Sequence, residues 1–145
     1  MDTITAKISF PIEGKRISEL SSEYFYRYTR YKINFSMALY YSETEIDTTI
    51  FDNAMRESDK VLQLHKNLIC MIFDITSQGD GLKASENLLS MYINKYLNQT
   101  LYASFVTTED FATQSNMDSH LISLLNFAIE KGLSGRVTDS FDEYL

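Results

Sequence analysis

Residues 61–75 of the chain, VLQLHKNLICMIFDI, include its longest wholly apolar run, LICMIF at residues 68–73. Across this stretch, large apolar side chains recur every three or four residues, at Val61, Leu64, Leu68, Ile72 and Ile75. Such spacing places the side chains along one side of an α-helix, as in a helix that packs against a hydrophobic core. The stretch therefore predicts a helix whose central part is buried.

Helical spacing continues on both sides of this stretch. Upstream, residues 18–41 carry an apolar stripe at Tyr24, Tyr28, Tyr31, Phe35 and Leu39. Downstream, residues 82–105 carry two adjoining apolar stripes. A face that broad is expected of a central helix that touches several neighbours. These two segments predict two further helices.

Local signals divide the rest of the chain into helices and turns. Ser42 and Glu45 have the spacing of a capping box at a helix start. The sequence Gln-Gly-Asp-Gly at 78–81 indicates a turn. A last helix over 118–131 is followed by Gly132, which suits a left-handed C-cap. The pattern as a whole predicts a mainly α fold, a single-domain bundle of about five or six helices.

Composition agrees with that prediction. The 145 residues include five glycines and one proline, fewer than the many tight turns of a β-sandwich or barrel require. The length suits one domain, so residues 1–145 are assigned to a single helical domain. Alternating apolar residues indicate a short extended N-terminal arm over residues 1–16. Glycine among several acids indicates a loosely held acidic tail over 133–145.

The cellular location is predicted from what the chain lacks. Its one cysteine, Cys70, allows no intramolecular disulfide, which fits a reducing compartment. The N-terminus has no basic region followed by an apolar one, so no secretory signal is expected. The longest apolar run is far shorter than a bilayer span. The expectation is a soluble cytoplasmic protein.

The charge of the chain points to a class of partner. Its 20 acids and 13 bases give a formal net charge of −7, and most of the excess falls in residues 73–145. A net negative charge opposes binding to nucleic acid and to anionic membranes. It is compatible with a basic protein partner, because complementary fields accelerate association.

No arrangement of residues typical of catalysis was found. Cys70 lies among apolar residues, where a reactive thiolate is not expected. His65 and His120 are the only histidines, and with one cysteine they match no zinc spacing. A pair of carboxylates such as Glu109 and Asp110 leaves an acid–base enzyme as a third alternative. The first expectation is a non-enzymatic protein with no metal and no cofactor.

The acidic half, the surface Tyr, Asp and Glu candidates and the missing catalytic chemistry resemble the immunity proteins of bacterial toxin systems, including contact-dependent growth inhibition. The resemblance implies a protein that binds and neutralises a cognate toxin domain, a basic nuclease, by occupying its nucleic-acid cleft. The residues it implies for the interface are Asp80, Glu86, Tyr102, Glu109, Asp110 and Asp118.

A second resemblance is to export chaperones of flagellin. Leu39-Tyr40 matches a Leu-Tyr pair early in that family's helical bundle, and residues 91–103 are similar to its later tyrosine-rich helix. The resemblance implies a protein that holds a helical export segment in apolar grooves. This function is the alternative to the immunity protein.

Overall fold

The computed structural model describes residues 10–74 and 78–140 of the chain. The described part is an α/β fold built on a mixed five-stranded sheet of order β2-β3-β1-β4-β5. Its strands are β1 (Phe35–Tyr41), β2 (Lys60–His65), β3 (Leu68–Asp74), β4 (Tyr102–Thr107) and β5 (Val137–Thr138). Its α-helices are α1 (Phe10–Tyr31), α2 (Thr48–Ala54), α3 (Gln78–Lys95) and α4 (Gln114–Lys131). The strands pair antiparallel except β4 with β5, which are parallel.

The predicted mainly α bundle is therefore wrong, and the stretch that suggested it is a β-hairpin. Residues 61–75 lie largely in β2 and β3, which pair antiparallel. Every residue of β3 is buried, because helices cover both faces of the sheet. A strand covered on both faces is apolar without alternation, and this continuous run contains the three- and four-residue spacings of a helix by coincidence.

The other two long helical predictions each merge a helix with the strand that follows it. Helix α1 ends at Tyr31, Lys32 takes a positive φ of 60°, and β1 begins at Phe35. Helix α3 ends at Lys95, and β4 begins at Tyr102. In both cases the buried residues of the strand continue the helical stripe in sequence, so periodicity alone did not mark the boundary.

Two hydrophobic cores lie on opposite faces of the sheet. Leu68, Cys70 and Ile72 of β3 point into the core beneath α1 and α4. Their neighbours Ile69, Met71 and Phe73 point into the core beneath α2 and α3. Burying a large apolar side chain stabilises a fold by roughly 1.5–3 kcal/mol, so both cores contribute substantially.

Both ends of the described chain are more ordered than the sequence indicated. Helix α1 begins at Phe10, so the predicted arm over 1–16 is helical from there on, and residues 1–9 lie outside the described residues. In the predicted loose tail, Val137 and Thr138 are buried as β5. Gly132 takes φ 69° and caps α4, which confirms that prediction. Within the described ranges, no helix is long and apolar enough to span a membrane.

The predicted turn at 78–81 is the first turn of α3. A Cβ atom at Gly81 would lie 2.6 Å from Ser36 Oγ and 3.1 Å from Phe105 Cζ. Glycine at this position therefore permits α3 to approach β1 and β4 closely, rather than turning the chain. Its role is packing between a helix and the sheet.

Candidate ligand-binding cleft

The α2/α3 face of the sheet is incompletely covered because α2 has only seven residues. A cleft of about 480 Å³ opens between the end of α2, the turn before β2, the end of β3 and one side of α3. This volume lies within the usual range for small-molecule sites. The cleft is lined by Ala54, Met55, Arg56, Asp59, Phe73, Asp80, Ala84, Asn87, Leu88 and Met91.

An arginine and an aspartate in one short turn form the polar wall of this cleft. Arg56 Nε and Nη2 donate to the two carboxylate oxygens of Asp59 at 3.2 and 2.9 Å. The Arg56 backbone N–H donates to the same carboxylate at 3.2 Å. The Asp59 side chain is only 4% exposed, whereas that of Arg56 is 56% exposed. Asp59 is thus the anchor, and Arg56 is the member of the pair that solvent and a ligand can reach.

The main chain at the end of β3 fixes this pair in place. The backbone N–H of Asp74 donates to Asp59 at 3.1 Å, and the carbonyl of Asp74 accepts from Arg56 Nη2 at 2.6 Å. The hydrogen bonds with Asp59 raise the pKa of the Arg56 guanidinium above its ordinary value. The arginine therefore remains charged and its fork is held in one orientation.

The opposite wall is contributed by α3 and is largely apolar at its base. Phe73 and Leu88 are buried at the floor, and Met91 is 47% exposed at the mouth. Asn87 and Asp80 are exposed at the rim. An apolar floor with a few convergent polar groups is the usual composition of a ligand site.

The six residues predicted for an acidic interface do not form one surface. Asp80 lies in the first turn of α3 and lines the cleft, and Glu86 is exposed further along the same helix. Glu109 and Asp110 are exposed in a 3-10 turn that follows β4. Tyr102 begins β4 and is half-buried, with its ring 6.4 Å from that of Tyr41.

Asp118 corrects the acidic-face prediction directly. Asp118 is only 3% exposed and lies between α4 and α1. There Ser21 Oγ lies 3.1 and 3.0 Å from its two carboxylate oxygens and donates to them. Burial raises the pKa of Asp118 to about 6, and the hydrogen bond from Ser21 acts in the opposite direction. A side chain in this position belongs to the core and does not contact a partner on the surface.

The capping box predicted at Ser42 and Glu45 is also absent. Helix α2 is capped instead by Asp47, whose side chain accepts from the Thr49 N–H. Tyr96 Oη donates to the same carboxylate at 2.6 Å, and Tyr92 Oη accepts from the Asp47 N–H at 3.1 Å. Tyr92 and Tyr96 therefore hold α2 onto α3.

Sequence reasoning missed the central residues of the cleft. Arg56 and Asp59 lie three positions apart in a polar stretch for which the sequence predicts no site. Opposite charges three positions apart in a turn can form an ion pair, and this spacing is the local feature that could have indicated the site. Asn87 and Met91 gave no signal, since they reach the cleft only through the packing of α3.

Comparison with solved structures shows the same fold in GGDEF domains. That of YfiN (TpbB) from Pseudomonas aeruginosa gives a TM-score of 0.69 at 11% identity, over 86% of this chain and 93% of that one. That of DgcB from Caulobacter crescentus, in complex with c-di-GMP, gives 0.63 at 9% identity, over 86% and 88%. The active GGEEF domain of a diguanylate cyclase from Vibrio cholerae gives 0.65 at 10%, over 83% and 94%. No protein-family model and no curated protein sequence matches the chain.

These similarities overturn the functional predictions made from the sequence. The fold is that of GGDEF domains, so the resemblance to toxin immunity proteins is wrong, and so is the predicted basic toxin partner. The alternative of a flagellin-type export chaperone is wrong for the same reason. The expectation of a non-enzymatic protein is contradicted too, because the domains that share this fold include an active diguanylate cyclase.

The similarity extends to the fold and not to the sequence for which these domains are known. Neither GGDEF nor GGEEF occurs in this chain, whose five glycines are never adjacent. At identities of 8–12%, the comparisons establish how the chain folds, and its ligand has to be argued from its own residues.

Proposed function

We propose that this chain is a c-di-GMP-binding domain, and that the ligand binds in the cleft at Arg56 and Asp59. The observation that carries the proposal is the Arg56–Asp59 pair, held by its own hydrogen bonds in the wall of the cleft of about 480 Å³. The fold supports the choice of ligand, because GGDEF domains of this shape have been solved in complex with c-di-GMP.

The polar groups of the cleft suit the edges of guanine. Guanine offers two acceptors, O6 and N7, on one edge, and the guanidinium fork of arginine matches them with two parallel hydrogen bonds. Its N1–H and N2–H₂ donors require a carboxylate or amide oxygen, which the exposed Asp80 and Asn87 can supply. The Arg56 side chain is 56% exposed, so solvent and a ligand can reach it. A guanine base can therefore replace part of the hydrogen bonding between Arg56 and Asp59.

The apolar part of the cleft suits the face of the base. Phe73 and Leu88 form the floor, and Met55 and Met91 lie at the sides. A methionine sulfur against an aromatic ring contributes about 0.3–1.5 kcal/mol. Because adenine has the same flat face, these contacts supply affinity, and Arg56 supplies the discrimination between the two bases.

The test is isothermal titration calorimetry of the full chain with c-di-GMP and, separately, with c-di-AMP, which carries adenine in place of guanine. Wild type is expected to bind c-di-GMP and to bind c-di-AMP at least tenfold more weakly, since one bidentate arginine–guanine pair is worth roughly 1–3 kcal/mol. Arg56→Met should weaken c-di-GMP binding at least tenfold. Arg56→Lys should be nearly as weak, because a lysine cannot form the fork.

The matched control is Arg30→Met, which removes an exposed arginine of α1 that does not line the cleft. Its affinity for c-di-GMP should equal that of wild type. Wild-type protein that binds neither dinucleotide would refute the proposal. Equal loss of binding in the Arg56 and Arg30 variants would show that only net charge matters.

The second candidate function is the synthesis of c-di-GMP from GTP. It is supported by the similarity to the active GGEEF domain from Vibrio cholerae, at a TM-score of 0.65. Incubating the chain with GTP and Mg²⁺ and following c-di-GMP by chromatography tests it directly. Product that increases in proportion to protein supports this function, and none at high protein concentration refutes it.

A cytoplasmic location belongs to the same proposal. Cys70 is a free, fully buried thiol, which fits a reducing compartment. Fractionation of the host cell tests this, with recovery in the cytosolic fraction as the expected result.

A further inference from the structure

Asp74, the last residue of β3, contacts both the turn that carries Arg56 and Asp59 and the helix α1. Its main-chain N–H and carbonyl bind Asp59 and Arg56 at the cleft. Its side chain follows the alternation of β3 and points to the same face as Leu68, Cys70 and Ile72, where α1 packs. A single residue therefore contacts both the proposed ligand site and the helix on the far side of the sheet.

On the α1 side, Asp74 is held by Arg27. Arg27 Nη2 lies 3.0 and 3.1 Å from the two carboxylate oxygens of Asp74. The pair is largely withdrawn from solvent, at 29% and 11% side-chain exposure. The Arg27 guanidinium also lies 5.3 Å from the centre of the buried Tyr24 ring. These contacts join the Asp74 carboxylate to α1.

We propose that Asp74 is a junction through which α1 sets the position of the Arg56–Asp59 pair, and with it the affinity of the cleft for c-di-GMP. The inference rests on the proposed function of the cleft. Arg27 and Asp74 are positioning residues, because they reach the ligand only through Arg56 and Asp59. Coupling of this kind is reciprocal: a ligand that fixes Arg56 also restrains α1, and a partner that shifts α1 changes ligand affinity.

The physical basis is that the two halves of the junction share one peptide segment. The N–H of Asp74 bonds the buried carboxylate of Asp59, which in turn accepts from the Arg56 backbone N–H. If α1 releases the Asp74 side chain, the end of β3 is less restrained, and the hydrogen bonds that join its N–H and carbonyl to Asp59 and Arg56 weaken. A looser turn binds more weakly, because ordering the arginine then has to accompany binding.

The experiment compares Arg27→Met with Arg30→Met, two substitutions on α1 that remove the same charge. Calorimetry gives the affinity for c-di-GMP, and hydrogen exchange of the ligand-free protein gives the protection of the Arg56 and Asp74 amides. Arg27→Met should weaken affinity roughly threefold to tenfold and accelerate exchange at both amides. Arg30→Met should leave affinity and exchange unchanged. Arg27→Lys, which keeps a cation beside Asp74, should recover part of both.

A double-variant cycle separates positioning from general destabilisation. Asp74→Asn should weaken affinity as much as Arg27→Met, and the two together should cost no more than either one, because they remove one interaction. Additive losses, or equal effects of Arg27→Met and Arg30→Met, would overturn the junction. If wild type binds c-di-GMP, unchanged affinity in Arg27→Met would also overturn the proposed junction.

The exchange measurement keeps this inference distinct from the proposed function. If wild type does not bind c-di-GMP, the proposed function fails, and exchange alone decides the junction. Faster exchange at Arg56 and Asp74 in Arg27→Met then supports a mechanical link between α1 and the cleft. Unchanged exchange at those amides refutes the link.

Discussion

The two faces of the sheet are covered to different extents, and their polar groups differ accordingly. On one face, α1 and α4 are long, with 22 and 18 residues, and they pack against each other and the sheet. On the other, α3 has 18 residues but α2 only seven. Under the complete cover, Asp118 is sealed in the core with Ser21. Under the incomplete cover, Arg56 and Asp59 line a cleft open to solvent. The short α2 thus leaves a candidate ligand site open on one face, whereas the longer helices bury the Asp118 carboxylate on the other.

The largest effect is expected from truncating one leucine on each face. Leu121 of α4 is fully buried against the sheet, whereas Leu88 of α3 is 5% exposed at the floor of the cleft. Leu121→Ala should destabilise the protein by about 3–5 kcal/mol, because it leaves a closed cavity. Leu88→Ala should cost only about 1–3 kcal/mol, because its space opens into the cleft and can be hydrated. Urea unfolding measures both losses of unfolding free energy. A greater loss for Leu88→Ala than for Leu121→Ala would contradict the inference that the cleft face is less tightly packed.

Asp118 should give the sealed face a distinctive pH dependence. Its pKa is about 6 in the folded protein, raised mainly by burial, against an ordinary aspartate value near 4 when unfolded. Between these values the folded state binds more protons than the unfolded state, so stability falls as pH rises from about 4 to about 6. The loss should reach roughly 3 kcal/mol, at about 1.4 kcal/mol per unit of pKa.

Asp118→Asn is the variant that tests this. Its stability should decline less than that of wild type over the same pH interval, since the amide does not ionise. Ser21→Ala removes the hydrogen bonds that oppose the effect of burial, so its decline should be steeper. Urea midpoints at several pH values measure all three proteins. Parallel profiles for wild type and Asp118→Asn would contradict the assigned ionisation.

The sequence predicted local features of this fold more successfully than its class. The C-cap at Gly132 was predicted from the left-handed conformation that favours glycine, a local property. The strand β3 was misassigned because burial on both faces removes the alternation that marks a strand, and only tertiary packing supplies the second face. Tyr40 and Tyr92 illustrate the same limit. Both are fully buried; Tyr92 follows the apolar stripe of its helix, but Tyr40 is a candidate surface tyrosine by sequence alone.

The candidate site was hidden for a related reason. Its residues come from α2, β3, α3 and the turn before β2, which the sheet order brings together. Sequence offered only the Arg56–Asp59 spacing as a local signal. The contact of Asp74 with Arg27 joins positions 47 residues apart. No local pattern encodes a contact at that separation.

The smallest effects are expected at two glycines of α3, and they test whether the open face is loosely packed in general or only at the cleft. A Cβ atom on Gly81 would lie 2.6 Å from Ser36 Oγ and 2.9 Å from its Cβ, whereas a Cβ on Gly79 has nothing within 4 Å. Gly81→Ala should cost about 1–2 kcal/mol, because overpacking outweighs the gain in helix propensity. Gly79→Ala should stabilise by up to about 1 kcal/mol through propensity alone.

Thermal unfolding of the two glycine variants beside wild type gives the comparison, with opposite shifts in Tm as the expected result. Opposite shifts would mean that α3 is tightly packed on β1 only a turn away from the cleft. The cleft is then a local gap left by the short α2, and Arg56 sits at the edge of a rigid wall. Stabilisation by both substitutions would mean that α3 can move away from the sheet. The contrast between the faces would then be one of rigidity, and the cleft would have no fixed shape to present to a ligand.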